Sequence, residues 1–214
     1  MKTETRKKGE KNDKDVLDHL GEFIEEHFKK GGKKSFSYFK AFLDDRAVAS
    51  ITPSSKFLVE RVIKAMELRK AKVVVEYGAA EGVMTREILS RLPEDGILVA
   101  LELNAKLFES LKGIQDPRLR PVNGDVCQID KVLAHAGVKS VDVIVSGIPF
   151  AFLRPRARHE LLTKTSDFLN PGGRFVAYQV TTHLIGLLED YFAKVKTQFE
   201  VRNLPPHFVF TAFK

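Results

Sequence analysis

From Lys72 onward the chain alternates between short, largely apolar runs and longer stretches that are apolar on one side only. The runs are Val73-Val74-Val75, Ile97-Leu98-Val99-Ala100-Leu101, Val141-Asp142-Val143-Ile144-Val145 and Phe175-Val176-Ala177. Each is short for a helix and dense in branched residues, so each reads as a strand covered on both faces. Val83, Ile88, Leu89 and Leu92 then form the apolar side of a helix after the first run. Thr52-Pro53-Ser54-Ser55 is a turn, and Ser54 or Ser55 caps a helix running to about residue 67, with Phe57, Leu58, Val62, Ile63 and Met66 inward. Strand and helix alternate as far as a fifth strand, fed by the turn Asn170-Pro171-Gly172-Gly173. After it, residues 182–195 read as a helix, and 198–202 and 208–213 as strands. The last two are joined so closely that they must be antiparallel neighbours, since a parallel pair needs a crossover of about a dozen residues.

What the strands end in turns this pattern into chemistry. The first ends in Glu76-Tyr77-Gly78-Ala79-Ala80-Glu81-Gly82, directly before a helix. Small residues there let a nucleotide-sized ligand lie against the main chain at the helix N-terminus. The second ends in Glu102, 20 positions after Gly82, placed to accept hydrogen bonds from both hydroxyls of a ribose. The third ends in Val122-Asn123-Gly124-Asp125-Val126, whose acid suits the exocyclic amine of adenine, and the fourth in Ser146-Gly147-Ile148-Pro149-Phe150. An adenosine-containing cofactor fits this series. A dinucleotide does not, because the spacing is Gly78-x-x-x-Gly82 and Glu81 would repel a pyrophosphate; a Gly-Lys-Ser/Thr phosphate loop is absent. Taken alone, the glycines fit a plain tight strand–helix turn equally well.

As a set, these strand ends resemble the class I S-adenosylmethionine-dependent methyltransferases over about residues 50–214. The resemblance implies an α/β fold: a Rossmann-like, seven-stranded, mostly parallel sheet with an antiparallel last strand, helices on both faces and an N-terminal helical extension. It implies S-adenosyl-L-methionine as cofactor, held by Ser54, Ser55, Glu76, Tyr77, Gly78, Ala80, Gly82, Glu102, Leu103, Asp125, Val126 and Ser146. Within that class, residues 39–58, the Ser146-Gly147-Ile148-Pro149-Phe150 loop and Arg202-Asn203-Leu204-Pro205-Pro206 resemble bacterial phospholipid N-methyltransferases, which methylate phosphatidylethanolamine. More distantly the chain is similar to ribosomal RNA adenine dimethylases. Those place Asn or Asp where Gly147 stands, and carry a helical RNA-binding domain after the sheet, whereas this sequence stops at Lys214. RNA is therefore the weaker expectation as partner. Ala79, Ala80 and Glu81 depart from the lipid family's proline, glycine and small polar residue, and we expect negative φ at Ala80 to accommodate its methyl. A small-amine acceptor, or a decayed module that binds cofactor or lipid without turnover, are the alternatives.

Composition narrows the setting. A formal net charge of +7 and a pI near 9.4 favour an anionic partner, nucleic acid or an acidic membrane surface. The single cysteine, Cys127, excludes a disulfide framework and any multi-cysteine metal site, and we expect no metal. No apolar run approaches bilayer length and the N-terminus is not a signal peptide, so we expect a cytoplasmic protein, peripheral on the inner membrane face, and a monomer. Residues 1–14 read as a disordered basic tail. Residues 15–50 combine an apolar helix face with aromatics and lysines, the makeup of a lid or an interfacial membrane-binding segment; residues 51–214 form the methyltransferase domain.

Methylated amines bind aromatic faces, and the chain has no tryptophan. Tyr178 at the carboxyl end of the fifth strand, Phe150 after the fourth and Tyr38 on the N-terminal segment are the candidates for this contact, with ordinary core packing as the alternative for each. His183 could take a proton or be a capping histidine. Arg154, Arg156 and Arg158 could hold a lipid phosphate, since guanidinium suits bidentate contact, or could form a solvated helix start.

Overall fold

A computed structural model describes residues 54–150, 153–203 and 206–214. The basic tail, the segment at 15–50 and Tyr38 lie outside the described residues. Among the described residues the first element is helix α1 (Lys56–Met66), and Ser55 caps it by accepting a hydrogen bond from the Leu58 amide. Strands β1 (Val73–Tyr77), β2 (Ile97–Glu102), β3 (Leu119–Asn123), β4 (Val141–Ser146) and β5 (Leu169–Gln179) then alternate with helices α2 (Val83–Leu89), α3 (Ala105–Lys112), α4 (Ile129–His135) and α5 (Pro155–Phe168). Helix α6 (Leu184–Glu189) precedes the hairpin of β6 (Lys194–Glu200) and β7 (His207–Phe213).

The seven strands form one sheet in the order β3-β2-β1-β4-β5-β7-β6. All pairings from β3 across to β5 are parallel, and β7 is antiparallel to both neighbours. The sheet is the Rossmann-like methyltransferase fold expected from the sequence. Because buried strands expose alternate residues to opposite faces, two cores result. One packs Val74, Leu98, Val143 and Val176 under α1 and α2; the other packs Val75, Val99, Ile144 and Phe175 under α4, α5 and α6.

Three local readings change. The helix expected over 182–195 is only Leu184–Glu189, and Lys194 and Val195 open β6 by pairing with Phe213 and Ala212. That strand lies at the sheet edge, where alternating lysines are favourable, and its mixed pattern resembles an amphipathic helix in sequence. Likewise β5 begins at Leu169, before its supposed turn: Leu169 pairs with Val141, and a register shift separates it from the next pair, Arg174–Val143. A bulge thus keeps pairing on both sides of Gly172, whose φ is 78°. Val83 is 45% exposed and not on the apolar side of α2. It lies five residues from Ile88, about 140° around a helix.

Candidate active site

Chain order reverses between β1 and β4: the chain moves outward through β2 and β3, then returns to β4 on the other side. Ligands of open α/β sheets bind in the crevice at the carboxyl ends of the strands at such a point. Glu76 and Glu102, near the carboxyl ends of β1 and β2, are 2% and 4% exposed. The Thr85 hydroxyl on α2 donates to Glu76 Oε2 at 2.7 Å. Burial pushes the Glu76 carboxyl up to about 7, against the pull of Thr85 and with a smaller push from the charge of Glu102. Glu102 is also raised by burial, opposed by amides that its two oxygens accept, from Asn104 to Oε1 and from Ala80 to Oε2, both at 2.8 Å. Among the described residues no cation pairs with either acid. Two buried carboxylates in this state suit a ligand bringing positive charge and hydroxyl donors, which S-adenosylmethionine does through its ammonium, its sulfonium and its ribose. Glu76 would hold the ammonium and Glu102 the ribose.

The turn between β1 and α2 is held tightly from below. The Gly78 and Ala79 amides both donate to the Leu101 carbonyl, at 2.9 and 3.0 Å. Gly78 and Gly82 have φ of 75° and 83°. A Cβ on Gly78 would lie 2.7 Å from Ile148 Cγ2, and one on Gly82 2.8 Å from Ile114 Cδ1. Their bareness thus serves protein packing, which sequence alone did not disclose. Ala80 departs from the expected negative φ and sits at 49°. A left-handed alanine costs about 1 kcal/mol, but the conformation aims its amide at Glu102, and that hydrogen bond is the reason it is held.

Gly147 and Tyr178 are brought together. A Cβ on Gly147 would overlap the Tyr178 hydroxyl and lie 2.9 Å from ring atom Cζ. The glycine therefore leaves room for the tyrosine ring at the carboxyl ends of β4 and β5. Burial raises the Tyr178 hydroxyl far above the usual range for tyrosine, with the charge of Glu76 adding to it. Its ring lies 6.4 Å from that of His207.

Other expected residues are placed elsewhere. The Tyr77 side chain is fully buried on the opposite face, its hydroxyl 3.2 Å from Thr165 Oγ1 on α5, while its carbonyl accepts from the Gly147 amide. Phe150 is 1% exposed and packs edge-on against Phe175, 6.0 Å between ring centres. Leu103 is 46% exposed beside Glu102. Asp125 accepts from the Cys127 amide and caps the single turn Val126–Gln128. Burial pushes the Cys127 thiol up to about 11, with the Asp125 charge adding to it, which favours the protonated thiol at neutral pH. His183 is exposed at the start of α6. Ser146 is fully buried. The Arg156 side chain is 91% exposed and pairs with Glu160; Arg154 is exposed at the start of α5, and Arg158 is half-buried.

A latch joins the β6–β7 connection to the start of α1. Asn203 Oδ1 accepts from the Ser55 amide at 2.7 Å, and its amide nitrogen lies 3.0 Å from His207 Nδ1. Beside it, Glu200 Oε2 accepts from Arg61 Nε at 2.9 Å and Glu200 Oε1 from Arg202 Nε at 2.8 Å, while the Arg202 guanidinium lies 4.1 Å from the centre of the Phe57 ring. The Arg202-Asn203 pair was visible as a motif; that it grips residue 55 was not, because the partners are 148 positions apart.

Residues 53–150 match the family model for ribosomal RNA adenine dimethylases. Over 180 residues the chain is 31% identical to an ornithine lipid N-methyltransferase from Singulisphaera acidiphila, covering 81% of this chain and 93% of that one. Among solved structures, the 1,6-didemethyltoxoflavin-N1-methyltransferase of Burkholderia thailandensis, bound to S-adenosylhomocysteine, is similar with a TM-score of 0.63 at 20% identity, over 84% of this chain and 86% of that one. An N-methyltransferase from Bradyrhizobium japonicum has a TM-score of 0.62 at 12% identity, over 85% and 99%. The two structures agree in fold, and the lipid enzyme's identity extends over nearly its whole length. Buried acids after β1 and β2, a glycine facing a tyrosine across β4 and β5, and this shared sequence have one reading: the chain belongs to the class I S-adenosylmethionine-dependent methyltransferases, in one family with that lipid N-methyltransferase.

Proposed function

We propose that the enzyme methylates the amine of a membrane lipid head group, with phosphatidylethanolamine as acceptor. The observation that carries this is the 31% identity to an ornithine lipid N-methyltransferase along 93% of that protein. The site supports it. Gly147 offers no side-chain acceptor for the planar amino group of a nucleobase, and the space it leaves is filled by the Tyr178 ring.

The cofactor supplies an already activated methyl group, so the protein's task is alignment. Glu76 and Glu102 fix the two ends of the cofactor that carry its ammonium and its ribose. The Tyr178 ring presents an aromatic face to the incoming amine, and burial there favours the neutral, nucleophilic form. Each added methyl strengthens contact with the ring as the head group becomes cationic, by about 0.5–2 kcal/mol. The basic chain works at an anionic membrane surface on the cytoplasmic side.

The test is incubation with labelled S-adenosylmethionine and phosphatidylethanolamine vesicles, with RNA in parallel. Label in the lipid fraction is the expected result; label in RNA with lipid untouched would sink the reading. Vesicle binding should rise with anionic lipid content and fall when residues 1–34 are deleted, and equal binding to neutral vesicles would remove the electrostatic part.

A further inference from the structure

The positive charge is not spread evenly along the chain. Residues 54–72 hold six Lys and Arg against two acids, and residues 191–214 hold four against one. Residues 1–53 are nearly balanced, with twelve against ten, and residues 73–190 are slightly acidic, with thirteen against fifteen. Two short segments therefore carry a net charge equal to that of the whole chain. The fold brings them together. Helix α1 packs across β5, β7 and β6. At its start Asn203 holds Ser55 and Glu200 holds Arg61; past its end Glu67 pairs with Arg174 of β5 at 2.9 Å. Lys194 and Lys196 of β6 share this face of the sheet, since their register partners Phe213 and Thr211 are also those of Arg174 and Val176.

Two of the three acids on this flank, Glu67 and Glu200, are taken by arginines. Lys56, Lys64, Lys194 and Lys196 are exposed and form no salt bridge among the described residues. Two half-buried rings interrupt the charge. The Phe57 ring centre lies 4.1 Å from the Arg202 guanidinium and 5.2 Å from Lys56 Nζ, and that of Phe213 lies 5.4 Å from the Arg174 guanidinium and 5.3 Å from Lys196 Nζ. Val201, which follows β6 and precedes Arg202, is 64% exposed, more than any other large apolar side chain among the described residues. Lysines on an edge strand hinder pairing with other chains. That accounts for β6, but not for the lysines of α1 or for a valine left in water.

We infer that the flank formed by α1 and the β6–β7 hairpin is a docking surface for an anionic lipid bilayer. Lysines beside aromatic and apolar side chains are the makeup of an interfacial surface, where cations meet lipid phosphates and apolar groups enter the head-group boundary. A nucleic acid would use the lysines and give Val201 nothing. The flank also adjoins the candidate site. Gln198, Val209 and Tyr178 are register partners across β6, β7 and β5, so Tyr178 lies about 10 Å, two strand spacings, from the edge strand. A bilayer held on this flank meets the sheet beside the tyrosine assigned to the head-group amine. That delivery rests on the proposed acceptor, whereas docking is measured without turnover.

Co-sedimentation of the full chain with vesicles of phosphatidylcholine and phosphatidylglycerol is the test. Lys194→Glu combined with Lys196→Glu should lower partitioning about tenfold or more. Lys131→Glu combined with Lys139→Glu makes the same change in net charge at exposed lysines elsewhere, and should lower it about twofold at most. Val201→Ser should cost a few-fold that persists in high salt, whereas salt should abolish the lysine effect. Equal losses for the two lysine pairs would mean attraction by total charge, and wild-type partitioning of the first pair would leave the flank unused; either overturns the proposal. So does a first pair that binds single-stranded RNA more weakly while partitioning onto vesicles like wild type. Methyl transfer to phosphatidylethanolamine should fall in the first pair when the lipid is in anionic vesicles and stay unchanged in neutral detergent micelles. An equal fall in both overturns docking as the role of these lysines. If no lipid is methylated, the acceptor class falls, and sedimentation still decides the docking surface.

Discussion

Glu76 and Glu200 are both glutamates at the carboxyl edge of the sheet, 2% and 1% exposed, yet they are held in opposite states. Glu200 is held down to about 2, chiefly by its hydrogen bond from Arg202 and then by Arg61. Glu76 has a threonine and, among the described residues, no cation, and burial holds it up at about 7. The first carboxylate is already compensated by its own chain and serves the fold. The second has no such partner among the described residues, and in the proposed reading the cationic cofactor supplies one. Burial alone does not mark a functional acid; burial without a counter-ion does.

The largest effect should come from breaking the compensated side. Glu200→Ala strands two arginines against a half-buried surface and should cost about 3 kcal/mol of stability, read as a shifted urea midpoint. The sign is fixed by the depressed carboxyl. Its contribution is present above about pH 4.5 and is lost as pH falls toward about 2, so wild type and variant should converge in acid. Convergence at neutral pH instead would mean that the pair does not stabilise the fold.

On the other side, Glu102→Ala should weaken S-adenosylhomocysteine binding by about 1.5–3 kcal/mol, the range for a lost charged hydrogen-bond partner. Calorimetric titration at wild-type affinity would remove Glu102 from the site. Gly147→Ala should lower methyl transfer about tenfold, or about 1.4 kcal/mol, because its Cβ would overlap the Tyr178 hydroxyl. Adding Tyr178→Phe removes that oxygen and should restore part of the loss. If the double variant is no better than Gly147→Ala, the overlap is not the cause.

The smallest effect sharpens the contrast most. In the ligand-free protein, raised Glu76 stabilises the fold below about pH 4.5, and that contribution is lost as pH rises through about 7. A cationic cofactor reverses the preference, so binding of S-adenosylmethionine should tighten as pH rises toward about 7 and then level off. Glu76→Gln should flatten this rise, and an unchanged profile would place the titration elsewhere.

The sheet was legible because buried parallel strands are written as apolar runs, and Glu76 and Glu102 because the acids stand at the ends of those runs. Edge strand β6 was misread because an exposed edge alternates like a helix. Phe150 showed as an aromatic in a loop, and nothing local said that Phe175, 25 positions later, would absorb it into the core. The three arginines were indistinguishable in sequence, since which one turns inward depends on the phase of α5 against Tyr77.

The close fit of Gly78 against Ile148 has a consequence for how this enzyme could change its acceptor. The turn after β1 and the loop after β4, assigned in the proposed reading to cofactor and amine, share a contact with no slack, so neither can be redesigned alone. Exchanging residues 146–150 for another enzyme's loop would disturb cofactor affinity through Ile148 before it altered acceptor choice. New specificities should therefore arise first from the exposed start of α5, which can vary while the two interlocked loops stay fixed.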